Sequence, residues 1–200
     1  MEIDNQRKQI LIILSIIVLF AAAILPVVLN PSTNVFDSII RVAALTGFVS
    51  LFVASILSSF TRQIYKIFSK PFVKIHHLFA IVGLILITIH PLALAISQMN
   101  LAVFIPDVSS LENFLILGGR PAIYIIYIVL FAGFARRMIP KYWKILHGSI
   151  YIALLLAYIH GVLIGTDFQN PGIFVLFSSM MVLSLIVLVY KRYVVWKRMK

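Results

Sequence analysis

The sequence has no cysteine among its 200 residues. That excludes disulfides, thiolate-held iron–sulfur clusters, cysteine-type zinc sites and covalent c-type haem attachment. Acidic residues are nearly as scarce: six, against 17 lysines and arginines. Glu2 and Asp4 sit near the N-terminus, and Asp37, Asp107, Glu112 and Asp167 fall between apolar runs. No carboxylate lies in the middle of such a run, whereas proton- and cation-coupled transporters usually need one at membrane depth. Charge of either sign is low, at 12%, about half the usual share of a soluble domain. No G-x-G-x-x-G fingerprint or other nucleotide loop appears, and Gly118–Gly119–Arg120 reads as a turn before the fourth apolar run.

What fills the chain instead is hydrocarbon: 62% hydrophobic residues and a mean hydropathy of +1.08. A core of this size could not hide that much apolar surface, so lipid must be the solvent for most of the chain. Helices are predicted at 10–29, 39–60, 74–97, 116–136, 143–164 and 172–191, each close to the roughly 17–25 residues that cross a bilayer. The apolar part of the fourth is short between Arg120 and Arg136, but residues 114–117 extend it and both arginines can snorkel. The first run follows Arg7 and Lys8 as a signal peptide would; its length and lack of a small-residue cleavage site favour a retained helix. The expected fold is an all-α integral membrane protein, one six-transmembrane-helix bundle spanning residues 1–200.

The basic residues orient it. Arg7 and Lys8 precede the first span, and Arg62, Lys66, Lys70 and Lys74 lie between the second and third. Arg136, Arg137, Lys141 and Lys144 separate the fourth and fifth; Lys191, Arg192, Lys197, Arg198 and Lys200 follow the sixth. Of the 17, only Arg41 and Arg120 fall on the other side. Basic loops stay cytoplasmic, so both termini are expected inside, in a multi-pass protein of the cell (plasma) membrane. The net charge of +11 is then a topology signal reinforced by anionic headgroups, and no nucleic-acid partner is expected.

All five histidines fall in two spans: His76, His77 and His90 in the third, His147 and His160 in the fifth. Both spans start at the basic side and run parallel, and 13 or 14 residues of helix rise about 20 Å. His76 or His77 therefore shares an inner level with His147, and His90 shares an outer level with His160. A lone intramembrane histidine more often bonds a neighbouring helix or lines a cavity. Four at matched depths suit two six-coordinate haem irons, each needing only two opposed axial ligands. Zinc would take three or four ligands, often including carboxylate or thiolate. Helical phase is mixed: 14 steps return to within about 40° of the same face, and 13 miss by about 140°. His76 rather than His77 is in phase with His90, while His147 and His160 diverge on an ideal helix. A bend or different rotamers would reconcile them, with Gly148 and Gly161 leaving room.

Six spans with histidines 14 apart on the third and 13 apart on the fifth resemble the ferric reductase-like transmembrane domain. That superfamily includes ferric reductases, NADPH oxidases and the haem subunit of the periplasmic methionine sulfoxide reductase system. The W-x-x-x-H of Trp143–His147 and the H-G of His160–Gly161 are similar to its fifth-helix pattern, and the likeness covers nearly the whole chain. It implies two haems b, the inner one held by His76 and His147, with His77 as the alternative to His76, and the outer one by His90 and His160. Ferric reductases and NADPH oxidases commonly carry flavin and NADPH domains after the sixth helix. Here ten residues follow Tyr190, in a basic tail, so the chain is similar to the stand-alone haem subunits. The expected function is transmembrane electron transfer from a separate cytoplasmic flavoprotein reductase to an extracytoplasmic acceptor, as the haem-containing subunit of an oxidoreductase. Whether a flavin binds at either face stays open.

Haem propionates need cations near the membrane surfaces. Lys70, Lys74, Arg137 and Lys144 are candidates at the inner level and Arg41 and Arg120 at the outer one, although a single lysine is more often a positive-inside or snorkelling residue. Tyr124, Tyr127, Tyr151 and Tyr158 are candidates for haem-edge hydrogen bonds, with packing or an interfacial position as the commoner role. Met180 and Met181 are expected to pack. Asp107, Glu112 and Asp167 are expected to be loop solvation before a site for a ferric ion or basic partner. Two other functions compete: a quinone-reactive dihaem cytochrome b, and a histidine-containing metal-ion transporter, against which the carboxylate-free spans argue.

Overall fold

The computed structural model describes residues 2–69 and 71–199, and the side chains of all of these except 2, 3, 72, 198 and 199. Lys70, a candidate propionate partner, lies outside the described residues. Nine α-helices follow in order among those described: α1 (Glu2–Leu29), α2 (Val35–Leu57), α3 (Thr61–Phe68), α4 (Phe72–Gln98), α5 (Leu111–Ile116), α6 (Gly119–Phe134), α7 (Trp143–Gly148), α8 (Ile150–Ile164) and α9 (Pro171–Met199). Six stretches are long and apolar enough to cross a membrane: Asp4–Leu29, Val35–Leu57, Val73–Gln98, Gly119–Arg137, Trp143–Ile164 and Pro171–Lys197. No strand occurs among the described residues, as expected where lipid offers the backbone no hydrogen bonds. The chain is an all-helical, multi-pass membrane protein.

The spans match the predicted ones in number and order, and their ends differ for local reasons. α1 begins at Glu2, because its polar first turns continue the helix past the apolar run, with Lys8 Nζ 2.5 Å from Asp4 Oδ2. α2 starts at Val35, where Asn34 Oδ1 accepts the Phe36 N–H at 2.9 Å, satisfying an otherwise orphaned donor. The fourth predicted helix, 116–136, corresponds to α6, and α5 is a separate short helix before it, parted from α6 at Leu117–Gly118. The fifth parts into α7 and α8 at Ser149. α3 was not expected. It is amphipathic, with Ile64 buried and Arg62 and Lys66 exposed, and it lies against α1 and α4. It ends where Ser69 adopts a left-handed φ of 51°.

Both termini lie at one end of the bundle. Asn5 Nδ2 donates to the Lys66 carbonyl at 3.3 Å, and Gln9 Nε2 donates to the Ile67 carbonyl. Lys191 Nζ reaches the Ser58 carbonyl at 3.2 Å, which brings the far part of α9 to the same end.

α2 is the axis. In its spanning window 67% of residues are buried, against 17% for α1, α4 and α7–α8, whose other faces look outward. Lipid tails are as apolar as leucine, so helices associate in a membrane through close packing more than through hydrophobic expulsion. Two glycines allow that closeness between α2 and α4. A Cβ on Gly47 would lie 2.9 Å from Ile87 Cγ2, and one on Gly83 would lie 2.8 Å from Leu51 Cδ2. Ser50 Oγ adds a 2.8 Å bond to the Phe79 carbonyl, and Phe48, Val49, Leu154 and Phe177 fill the centre. Replacing both glycines with alanine is expected to push α4 off α2, costing about 1–3 kcal/mol. The check is a lowered unfolding temperature in detergent, followed by tryptophan fluorescence.

Candidate metal centre

Four of the five histidines share one arrangement. His76 Nδ1 lies 3.1 Å from the Ala54 carbonyl, and His90 Nδ1 lies 3.1 Å from that of Ile40, both on α2. His147 Nδ1 is 3.1 Å from the Val129 carbonyl on α6, and His160 Nδ1 is 2.7 Å from that of Ile116 at the end of α5. A carbonyl only accepts, so Nδ1 donates in every case. In the neutral ring this places the lone pair on Nε2, the atom left to bind a ligand. Backbone carbonyls commonly orient metal-ligating histidines in this way. His77 has no such bond among the described residues and is exposed, beside His76 at a ring separation of 5.9 Å.

The carbonyls repeat the spacing of the histidines. Ile40 and Ala54 are 14 apart on α2, as His76 and His90 are on α4. Ile116 and Val129 are 13 apart, as His147 and His160 are. Antiparallel neighbours in fixed register therefore hold each pair. The break at Ser149 answers the phase mismatch on the fifth span: its ψ of −6° departs from helical geometry, so α7 and α8 present His147 and His160 independently of an ideal 100° step. The break between α5 and α6 has a matching use. Ile116 is the last residue of α5, where carbonyls lack an intrahelical donor, and it makes the shortest of the four bonds.

α4 packs on α2 and α8 packs on α6, while α4 and α8 scarcely touch. The four carbonyl-bonded histidines on them and on α7 are half-buried. The rings of His76 and His147 lie 6.1 Å apart, centre to centre. Metal–imidazole bonds of about 2 Å would place two opposed rings with centres about 6 Å apart, so this pair fits one metal ion held between them. His90 and His160 lie within electrostatic range of each other. Among the described residues no three His, Asp or Glu side chains gather as a metal site. A donor set of two imidazoles at each level suits an iron whose other four ligands come from a macrocycle and leaves a zinc-like ion short. No family model, characterised protein or solved structure matches the chain.

Glycines make room for the rings. A Cβ on Gly119 would stand 3.0 Å from His160 Cδ2 and 3.1 Å from its Nε2; one on Gly133 would stand 3.8 Å from His147 Nδ1. Gly118–Gly119, expected to be a turn, marks the start of α6 and the approach of His160. Gly161 faces a different neighbour: its missing side chain admits the Phe168 ring.

The remaining predicted residues fall into distinct places. Arg41 is engaged elsewhere: Nε and Nη2 grip Asp167, with contacts of 2.6–3.2 Å, and Nη1 donates to the Asn30 carbonyl at 2.8 Å. Asp167 is 9% exposed, an ion-pair partner and not loop solvation. Arg120 donates to the Ile105 carbonyl at 2.8 Å and sits within electrostatic range of His160. Lys74, Lys144 and Arg137 are exposed at the basic end. The hydroxyls of Tyr124, Tyr127 and Tyr158 bond Phe104 O, Thr88 Oγ1 and Ser178 Oγ at 2.9, 2.9 and 2.7 Å, and Tyr151 lines a groove between α8 and α9. Met180 and Met181 are buried in the apolar core. Asp107 accepts both the N–H and the hydroxyl of Ser109, which hold its carboxyl below the ordinary pKa and stabilise a turn. Glu112 lies exposed in the first turn of α5.

The Arg41–Asp167 pair ties α2 to the turn before α9, and removing one partner of a buried pair costs about 3–5 kcal/mol. Asp167→Asn is expected to lower the unfolding temperature markedly. Combining it with Arg41→Met should recover part of the loss, as a double-mutant cycle read by thermal unfolding would show.

Proposed function

We propose that the chain is a transmembrane electron conduit of the ferric reductase-like kind. It holds two b-type haems between α4 and α7–α8, one on His76 and His147 and one on His90 and His160. The observation that carries this is the fourfold Nδ1–H···O=C bond, which occupies Nδ1 in each ring and leaves Nε2 as the atom for a ligand. The resemblance in span number and histidine spacing supports it, and so does the absence of any larger donor cluster among the described residues.

The chain's own work is positioning. The carbonyls of Ala54, Ile40, Val129 and Ile116 keep each Nδ1 proton in place, fixing both tautomer and ring plane. The helices exclude water and hold the two levels about 20 Å apart along the helix axes. Each haem, when bound, supplies a reversible one-electron couple. Arg120, near His160, is the outer cation placed to meet a propionate, since Arg41 is committed to Asp167. Lys74 and Lys144 take that role at the inner level. The basic end faces the cytoplasm, with both termini there, in the plasma membrane. A separate flavoprotein reductase docks on it, and an acceptor is served at the opposite face.

The test uses haem-loaded protein in liposomes with ferricyanide trapped inside and a membrane-impermeant reductant outside. Wild-type protein should reduce the trapped ferricyanide, and His77→Ala should match it. His90→Ala and His160→Ala should lose at least about tenfold in rate, more than 1.4 kcal/mol of barrier. Conduction at the wild-type rate by either variant would overturn the proposal.

A further inference from the structure

At the basic end a groove of about 570 Å3 opens between α8 and α9. By the course of α9, Leu188 and Val189 line its membrane-deep part and are apolar, and Gly148, where α7 ends, lines it with open space in place of a side chain. Its mouth holds Arg192, Tyr193 and Trp196, the last two 6.2 Å apart ring to ring. A cation flanked by aromatic rings, with aliphatic residues deeper along the same helix, matches the layering of a bilayer from headgroup to acyl chain.

The charge balance identifies the occupant. Lys191 and Arg192 are adjacent cations, and among the described residues neither is paired with a carboxylate. Asp4, an acid of this end, is held by Lys8. The Arg192 guanidinium comes within 4.0 Å of where a Cβ on Gly148 would stand, so it projects over the groove and not away from it. Basic pockets between spanning helices are a known recognition mode for anionic headgroups. We infer that this groove is a binding site for one anionic phospholipid, its phosphate on Arg192 and its acyl chains along Leu188 and Val189. The site makes no use of the histidines and does not depend on haem.

The experiment is thermal unfolding of the full chain in neutral detergent, with phosphatidylglycerol or phosphatidylcholine added, beside native mass spectrometry of the same samples. Phosphatidylglycerol should raise the unfolding temperature by several degrees and appear as a single retained lipid. Arg192→Gln and, independently, Gly148→Leu should abolish both effects, while Lys66→Gln at the same end should keep them. Equal stabilisation by phosphatidylcholine or by inorganic phosphate alone would overturn the inference. So would retention of phosphatidylglycerol by a folded Arg192→Gln protein.

Discussion

The bond from a histidine Nδ1–H to a carbonyl of the neighbouring helix constrains everything else in this bundle. A polar ring inside lipid is costly unless its donor is answered, and a helix carbonyl can supply a second lone pair. Making that bond four times requires two antiparallel helix pairs, α2 with α4 and α5–α6 with α7–α8, each in a register good to one residue. A slip of one position would remove each ring from its acceptor. The cost of four unanswered donors thus selects one packing arrangement from the many that greasy helices allow.

Glycine and the helix breaks make that register reachable. Gly47 and Gly83 bring α2 and α4 to a distance at which a side chain would collide, so their carbonyls and rings can meet. Gly119 does the same for His160. On the fifth span a continuous helix would have turned His147 and His160 to different faces, and the break at Ser149 removes that conflict. The Arg41–Asp167 pair fastens α2 to the turn before α9 at the end opposite the termini. The histidine–carbonyl bonds and the Arg41–Asp167 pair join elements far apart in the chain, so each opposes the sliding of one span past its neighbour.

The six spans, their order and the pairing of histidines by depth were legible in the sequence, because hydropathy and helical rise are local properties. The ends were less so. Helix α1 outruns its apolar segment, since polar residues also form helix, and α3 is too short and too charged to register as hydrophobic. Helical phase alone prefers His76 over His77; in the structure His76 Nδ1 meets the Ala54 carbonyl, while His77 is exposed. Arg41 stood out for its side of the membrane, yet its partner Asp167 lies 126 residues away, and no local pattern announces such a pair. The carbonyls that orient the rings belong to Ala54, Ile40, Val129 and Ile116, residues with no polar side chain to mark them. Backbone groups are invisible to a motif, so the acceptor half of this histidine arrangement was hidden.

The most direct measurement is the number of haems per purified chain, by pyridine haemochrome assay alongside a reduced-minus-oxidised spectrum. The account predicts a b-type spectrum with two haems in the wild-type protein. It predicts one in His90→Ala, with the His76–His147 level intact. A protein expressed with ample haem that binds none, or a His90→Ala variant that keeps both, would contradict it.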